Sequence, residues 1–445
     1  MAHAVRLGHD GIMTHFPKLT RRSAMTGAAS ALVLLPAVAR AADVLDATTL
    51  GVVGDSSDDQ GATLQAALDQ AAASGQSLRL PPGTIRVQGL DLPGNMVITG
   101  TPGSTEIAQL GDGTGISVAD RGSLVIRDVG FSGGTTALTI GASDDIRLEG
   151  CRFRNSGVGI AISDASVTIT ACHFTEMGDA AIHAMDSRGL MISGNRIDYC
   201  GNAGVRIWRS EAGNDGSSVV DNTISNIDWR EGGNGQNGNG INIFRADAVI
   251  VANNHLSDCA FTAVRLNAAR NSQVSGNTCL RSGEVAIFSE FEFSGSVIAN
   301  NIIDGAATGI SITNLDVGGA LAVCMGNLVR NITPMSAVNP DTIPLGIYAE
   351  ADTAISGNTV ENVPGVGIGA GYGPYLRNVA ITGNVMSKCL IGIGVSVVDG
   401  AGAVTVSGNS VSEAQHEIAG LAWKDIVEPD LAAHAADHPN VRFAR

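Results

Sequence analysis

The fold is decided by a recurring phrase, seen complete at Ile192-Ser193-Gly194-Asn195-Arg196-Ile197. It returns as Val274-Ser275-Gly276-Asn277-Thr278-Cys279 and, in related forms, around Asn222, Asn254, Asn301, Asn327, Asn358, Asn384 and Asn409. Cys151 and Cys172 hold the marker position in two earlier copies, and successive markers lie 21 to 32 residues apart. A period in the low twenties with insertions is typical of a solenoid.

Each repeat is built from short strands. An apolar residue stands three positions before each marker and another stands two positions after it, as Ile192 and Ile197 do around Asn195. A second phrase lies between markers and alternates apolar with variable residues, as in Gly240-Ile241-Asn242-Ile243. Period-two alternation bounded by Gly and Asn predicts strands and tight turns. The fixed leucine framework of a leucine-rich repeat is missing. The pattern therefore predicts an all-β, right-handed parallel β-helix of about thirteen coils.

Length and composition agree with an elongated β protein. The chain has 445 residues, whereas single globular cores stop growing near ~250–300 residues. Glycine accounts for 57 residues, and only 16% of residues are charged, which disfavours a helical repeat or coiled coil. The net charge of −16 lacks the basic footprint of a nucleic-acid-binding protein, so no nucleic-acid partner is expected.

The first forty residues have the features of an export signal. Thr20-Arg21-Arg22-Ser23 precedes an uncharged run over residues 24–39, and Ala39-Arg40-Ala41 fits a small-x-small cleavage site. The arginine pair resembles a twin-arginine signal, although Ala24 and Met25 replace its usual bulky pair. Residues 1–41 are thus expected to engage the twin-arginine export machinery, placing the mature chain in the periplasm or outside the cell. No later segment is apolar enough to span a membrane.

Residues 50–107 resemble the N-terminal cap of the pectate-lyase-like (pectin lyase fold) superfamily. The resemblance lies in Gly51-Val52-Val53-Gly54-Asp55, Leu64-Gln65-Ala66-Ala67-Leu68-Asp69 and Leu78-Arg79-Leu80-Pro81-Pro82-Gly83. With the export signal and the repeat, the chain resembles a twin-arginine-exported β-helix repeat family without an assigned reaction. We expect a cap helix with Leu64 and Leu68 on one face, ending at Gly75. The expected organisation is an export signal at 1–41, a cap and first coil at 42–107, a β-helix at 108–424 and a C-terminal cap at 425–445.

The asparagine and cysteine columns are interpreted as structural. Asparagine tolerates left-handed backbone and can bond to the turn beneath it, which accounts for its repetition without a ligand. Seven cysteines without a CxxC pair favour buried free thiols over a zinc site. Cys151 and Cys172, stacked on adjacent coils, are the only plausible disulfide partners.

Two outward-facing columns carry the functional prediction. They hold small residues at both ends and large, charged or aromatic residues in the middle, and one column ends in Gly369, Gly394 and Gly420. Insertions over residues 228–240 and 333–344 lie beside this face and are expected to wall a groove. The predicted catalytic residues are Glu290, Arg265, Arg206, His183 and Glu350. The predicted substrate-binding residues are Trp208, Asn242, Phe244, Asn267, Phe288 and Tyr348.

These residue types suit a saccharide. Aromatic faces can stack on sugar rings, the arginines can hold carboxylates, the glutamates can exchange a proton, and His183 can act as acid or base. The resemblance implies a lateral polysaccharide groove and lyase, hydrolase or epimerase chemistry. Calcium is possible, but no compact Asp cluster for it and no organic cofactor motif is present. Two other interpretations stay open: Glu290 with Arg265 as a cross-coil ion pair, and a non-catalytic glycan-binding or envelope scaffold protein.

Overall fold

The computed structural model describes residues 43–113, 115–233, 235–313 and 318–444. The predicted export signal at residues 1–41 lies outside these ranges. The described chain is an all-β parallel solenoid of about 14 turns, and 6% of it is helical. This confirms the predicted fold class, with about one coil more than the spacing of the markers indicated.

One face of the solenoid, called face A, precedes the marker asparagines. Its strands pair in parallel, each with the equivalent strand of the next coil. Face A comprises Val44–Asp46, Ser77–Arg79, Met96–Thr99, Leu124–Arg127, Ile146–Glu149, Val167–Thr170, Met191–Ser193, Ser218–Val220, Ile250–Ala252, Gln273–Ser275, Ser294–Ala299, Ala320–Met325, Thr353–Ser356, Val379–Thr382, Val404–Ser407 and Val441–Ala444.

Two further faces, B and C, follow each marker. Face B comprises Gly83–Val87, Thr105–Gln109, Gly130–Ser132, Arg196–Cys200, Thr223–Ile227, His255–Cys259, Thr278–Leu280, Ile302–Ala306, Leu328–Ile332 and Ser410–Ser412. Face C comprises Leu90–Asp91, Ile116–Ala119, Thr136–Gly141, Ala203–Asn214, Asn239–Asp247, Val264–Asn267, Val285–Glu290, Thr308–Thr313, Leu345–Ala349 and His416–Ala422. Four longer strands bend from B into C: Arg152–Ser163, His173–Met185, Thr359–Ala370 and Val385–Ser396.

The two ends of the solenoid are closed differently. At the N-terminal end, the helix Gly61–Ser74 buries Leu64 and Leu68 and ends at Gly75 in left-handed backbone, as expected. At the C-terminal end, the strand Asp425–Glu428 pairs antiparallel with face C. Short 3-10 helices cover Ala47–Leu50, Gly373–Tyr375 and Ala435–Asp437. Closing the ends protects strand edges that would otherwise recruit other chains.

The interior is apolar and arranged in columns. Phe131, Phe153 and Phe174 stack on successive coils, with ring centroids 5.2 and 4.7 Å apart. All seven cysteines are buried and have free thiols. Burial raises the pKa of the Cys200 thiol to about 12, so it stays protonated and behaves as a small apolar side chain. No helix among the described residues has the length and hydropathy needed to cross a membrane.

The marker asparagines form a continuous buried hydrogen-bonded column, called the asparagine ladder. The side-chain Nδ2 of Asn277 donates to Asn301 Oδ1 at 3.0 Å and to the Val251 carbonyl oxygen at 3.0 Å. Its Oδ1 in turn accepts from the backbone and side-chain nitrogens of Asn254. The same pattern recurs from coil to coil at Asn195, Asn222, Asn254, Asn277, Asn301, Asn327, Asn358 and Asn384 and ends on Asn409.

Two local expectations were wrong. Left-handed backbone belongs to the residue before each ladder asparagine, such as Gly194 or Gly276, because the asparagine itself must point inward to reach its neighbours. On the last coil, Ala419 rather than Gly420 lies beside Gly394. The core register explains this shift, since Ile418 must align with Ile393 to remain on the inner side.

Replacing one rung tests the ladder. Asn277→Ala should lower the free energy of unfolding by about 3 kcal/mol, because it leaves buried groups on both adjacent coils without a partner. Urea titration followed by circular dichroism measures this effect. Asn214→Ala, at an exposed position on face C, is the matched control and should cost less than about 0.5 kcal/mol. Equal effects of the two substitutions would contradict the structural role assigned to the ladder.

Candidate functional site

The predicted site residues lie on face C in the expected register. His183, Arg206, Asn242, Arg265 and Phe288 occupy paired positions on five successive strands. The neighbouring outward column runs through Trp208, Phe244, Asn267 and Glu290 in the same way. Although both columns point away from the core, several of their charged and amide side chains are almost fully buried: Arg206, Asn242, Arg265, Glu290 and Glu350.

Arg206 is the centre of a first cluster. Its guanidinium donates two parallel hydrogen bonds to Asp179, each of 2.9 Å, and one of 2.9 Å to Asn237 Oδ1. The guanidinium also lies 5.3 Å from the ring centroid of Trp208. His183 packs edge-on against Trp208, and burial together with Arg206 lowers the pKa of this histidine. Both terminal nitrogens of the Arg206 guanidinium are therefore engaged by the protein, whereas its buried Nε has no hydrogen-bond partner among the described residues.

Arg265 is the centre of a second cluster. Its Nε and Nη2 donate to the two oxygens of Glu290 at 2.6 and 2.8 Å, and its Nη1 reaches Glu284 at 3.4 Å. Asn267 donates to Glu290 at 2.8 Å. Burial raises the pKa of Glu290, while Arg265 and Asn267 oppose that rise by stabilising the carboxylate. One arginine is thus shared by two carboxylates.

The first insertion covers both clusters. Asn237 binds Arg206, and the carbonyl oxygens of Gly235 and Gln236 accept hydrogen bonds from Asn242 at 3.4 and 3.3 Å. Gly235 adopts a φ of +125° directly above Arg265, where a Cβ would overlap the guanidinium. Glycine is required there because it tolerates this backbone and the close approach. This loop therefore buries the charged middle of face C.

The second insertion, residues 333–344, forms one side of a cavity. A cavity of about 490 Å³, called the site cavity, lies over the C-terminal coils of face C. Asn339 in this insertion donates to Glu284 at 2.8 Å, and the Ile343 carbonyl oxygen accepts from Thr308 at 2.6 Å. Glu284 also accepts from Thr262 at 3.1 Å. The loop is thereby fixed as a wall rather than a free flap.

The floor of the cavity consists of positions with little or no side chain. Along the outward column, Phe288 is followed by Ser311, Tyr348, Gly369 and Gly394, of which only Tyr348 is large. A Cβ on Gly369 would lie 2.8 Å from the Tyr348 ring, and one on Gly394 would lie 2.8 Å from Leu421. The glycines therefore both make space and allow the walls to close around it.

Aromatic rings and carboxylates form the walls. The rings are those of Phe288, Tyr348, Tyr372 and Trp423, and the carboxylates are those of Glu284, Asp341 and Glu350. Burial raises the pKa of Tyr348 well above its usual value, and Glu350 and Tyr372 add to the rise. The Tyr348 hydroxyl is buried and has no hydrogen-bond partner among the described residues. It is consequently a neutral hydroxyl whose hydrogen-bonding capacity is unused among the described residues.

Trp423 closes the C-terminal end of the cavity. It lies in the turn between His416–Ala422 and Asp425–Glu428 and has a φ of +61°, which is rare for a bulky residue. Its ring packs edge-on against Tyr372, at a centroid distance of 4.9 Å, and covers Gly373. Other bulky residues, such as Tyr199 and Leu321, adopt the same backbone elsewhere in the solenoid, so this conformation belongs to the turn.

The structure divides the predicted residues between three places. His183, Arg206, Asn242, Trp208 and Phe244 lie together beneath or beside the first insertion, and Arg265, Asn267 and Glu290 form the buried second cluster. Phe288, Tyr348 and Glu350 line the site cavity. Their assignment to catalysis or substrate binding remains a prediction. No group of three or more His, Cys, Asp or Glu side chains within the described ranges is placed to hold a metal ion.

Other lining residues escaped the sequence reasoning: Glu284, Asp341, Tyr372, Trp423 and Lys424. They stand just before a strand, inside an insertion, or in the turns that follow Thr359–Ala370 and His416–Ala422, so they belong to neither outward column. The available signal was indirect. Gly369 and Gly394 follow Tyr348 in the outward column. Positions without side chains beside an aromatic residue indicate an open cavity at that point, not the end of the binding site.

The similarities of this chain to known proteins are similarities of fold. The family model described as a right-handed beta helix region matches residues 114–235 and 211–369. Pre-mature bacteriophage phi29 gene product 12 is similar at a TM-score of 0.52 and 14% identity, over 87% of this chain and 58% of that chain. PfbA, a surface adhesin of Streptococcus pneumoniae, is similar at 0.50 and 14%, over 86% and 94% respectively.

The enzymatically active domain of bacteriophage CBA120 tailspike protein 2 is similar at a TM-score of 0.50 and 15% identity. That match covers 64% of this chain and 48% of the tailspike chain, so the likeness spans about half of the tailspike chain's length. No curated protein sequence matches the chain. At these identities the structural likeness shows a common fold.

Removing Arg265 tests whether the second cluster is a buried ion-pair network. Arg265→Ala should lower the free energy of unfolding at pH 7 by about 3–5 kcal/mol, because two buried carboxylates lose their cation. The pKa of Glu290 is already raised by burial, so its charge destabilises the fold above the ordinary glutamate pKa. The loss should therefore shrink as the pH falls toward 4.5 and protonation removes the charge.

Chemical denaturation at both pH values measures this loss. Arg330→Ala, which breaks an exposed pair with Asp304, is the control and should cost less than about 1 kcal/mol at either pH. A wild-type-like unfolding curve for Arg265→Ala would contradict the network.

Proposed function

The chain belongs to the right-handed β-helix family, and from this premise we propose that it is a carbohydrate-active protein that binds a saccharide in the site cavity. One observation carries the proposal: aromatic rings and carboxylates surround a cavity of about 490 Å³ whose floor includes Gly369 and Gly394. Small-molecule sites typically measure ~300–1,000 Å³ and combine apolar walls with a few polar groups. Saccharides match this lining because their rings offer apolar faces to aromatic side chains and hydroxyls to carboxylates.

The lining also supports acid–base chemistry. Glu284 accepts hydrogen bonds from Thr262, Arg265 and Asn339, which hold its carboxyl group in one position at the cavity. Glu350 is almost fully buried at the cavity and provides a second carboxyl group. Glycoside hydrolysis uses two such groups, one to protonate the leaving oxygen and the other to activate water or attack the sugar. Hydrolysis is therefore the reaction we propose, with Glu284 and Glu350 as its candidate groups.

A binding protein without turnover is the alternative. The β-helix fold occurs both in an enzymatically active tailspike domain and in a surface adhesin, so the fold does not separate the two. The discriminating experiment incubates the purified protein with a panel of oligosaccharides and follows binding by calorimetry and new reducing ends by colorimetry. Release of reducing ends supports hydrolysis, ultraviolet-absorbing unsaturated products indicate a lyase instead, and recovery of intact bound saccharide indicates a binding protein.

Two aromatic substitutions test the cavity directly. Tyr372→Ala and Trp423→Ala should each weaken saccharide binding five- to thirtyfold, corresponding to about 1–2 kcal/mol, because each removes a wall of the cavity. Tyr199→Ala, which truncates an exposed tyrosine on face B, should leave binding unchanged. Calorimetric titration measures the affinity, and thermal melting verifies that each variant is folded. Undiminished binding by both cavity variants would rule out this location.

We also propose that the protein acts outside the cytoplasm, in the periplasm or the medium. This rests on the arginine pair and the small-x-small site within residues 20–41. Changing Arg21→Lys and Arg22→Lys together should leave the uncleaved precursor in the cytoplasm, as seen by fractionation and immunoblotting. A single Arg6→Lys change serves as the control and should not affect export. Normal processing of the double variant would argue against the twin-arginine route.

A further inference from the structure

The charges that line the site cavity are predominantly negative. Glu284, which shares the single cation Arg265 with Glu290, and Asp341 at the exposed margin bring negative charge to the lining, and Lys424 brings one ammonium group. Among the described residues that line the cavity, Lys424 is the only lysine or arginine. The chain as a whole carries −16, so the surrounding field does not reverse this sign. A second negative charge entering the cavity would therefore be repelled.

The arginines that might have received an anionic sugar are already engaged. Arg265 is shared between Glu290 and Glu284, and Arg206 is bound bidentately by Asp179. Both guanidinium groups are almost fully buried beneath the first insertion. Freeing Arg265 would leave the buried carboxylates of Glu284 and Glu290 without their cation, which is costly, and freeing Arg206 would break its bidentate pair with the partly exposed Asp179. Neither arginine is available to hold a substrate carboxylate in the cavity.

Hydrogen-bonding capacity for an uncharged or cationic ligand is present. Tyr348 lines the cavity, and its buried hydroxyl has no hydrogen-bond partner among the described residues, so this group keeps unused hydrogen-bonding capacity. Asp341 lies at the exposed margin of the same cavity, in the second insertion. A ligand ammonium group placed near Asp341 would form a charge-assisted hydrogen bond. The aromatic walls add favourable contacts with a cation.

We propose that the site cavity selects an amino-bearing saccharide, accepts a neutral one more weakly and excludes a uronate. This inference rests on the proposed function, because it concerns the ligand of the same cavity. It also separates the possible reactions. Lyases and epimerases that act on uronates need positive charge to stabilise the carbanion formed beside the sugar carboxylate, and the cavity lining offers mainly negative charge. Hydrolysis of a neutral or amino sugar has no such requirement.

Three tetrasaccharides of equal length test the ranking: one of glucosamine, one of glucose and one of galacturonate. Calorimetric titration of the purified protein at low ionic strength should show the tightest binding for the glucosamine tetramer. The glucose tetramer should bind more weakly, and the galacturonate tetramer should show no measurable binding. Raising the salt concentration should weaken only the glucosamine complex, because screening acts on the charged pair.

A matched pair of variants assigns the preference to the cavity. Asp341→Asn should lower the preference for the glucosamine tetramer over the glucose tetramer about fivefold, the effect of losing one partly exposed ion pair. Asp341→Glu should restore the wild-type preference. Asp112→Asn, an equal charge change at an exposed loop remote along the chain, should affect neither ligand.

The outcomes separate this inference from the proposed function. Binding of the galacturonate tetramer at least as tight as that of the glucose tetramer would overturn the selectivity while supporting a saccharide site. A glucose tetramer that binds as tightly as the glucosamine tetramer would do the same. Absence of binding by all three tetramers would overturn the proposed function, and the selectivity with it.

Discussion

The asparagine ladder is the constraint on which the rest of the structure depends. Parallel coils have no hairpins to set their register, and a slip of one residue would exchange inner and outer faces. Each ladder asparagine bonds simultaneously to the next asparagine and to a backbone carbonyl of the preceding coil, as Asn277 does with Asn301 and Val251. Its side chain thereby satisfies buried groups that a turn would otherwise leave without partners. With the register held at this corner, every other position of the repeat becomes a vertical column.

Columns impose their own consequences on charged residues. Neighbouring coils lie about 4.8 Å apart, so two large polar side chains at equivalent positions necessarily contact each other. On face C this brings Arg265 beside Glu290 and Arg206 beside His183, and the first insertion then excludes water from both. Buried charges in such a setting must be paired, and once paired they are poorly placed to bind a ligand. The large charged residues of the outward columns therefore pair mainly with one another.

The sequence was sufficient to predict the fold and the side-chain columns, but it did not reveal the site cavity. Short-range patterns set the strands, the cap helix and the inward rows, and these depend only on residue spacing. The register on face C follows from the same spacing, except at the last coil, where Ile418 shifts the alternation. Burial of Arg206 and Arg265 could not be predicted, because it depends on how the insertion folds back over them. The contributions of Tyr372 and Trp423 were missed for the same reason, since both lie in connections whose paths no periodicity specifies.

The open space and the C-terminal closure of the solenoid depend on the same residues. Along the outward column, Gly369 and Gly394 remove the side chains that would fill the space beside Tyr348. A groove made only by glycine would be shallow, because nothing would bound it at the end of the rod. The antiparallel turn that covers the last strand edge supplies this boundary by holding Trp423 in left-handed backbone against Tyr372. The same turn shields the last strand edge from other chains. Every open solenoid must protect the strand edge of its last coil. Here the turn that does so also forms one wall of the cavity.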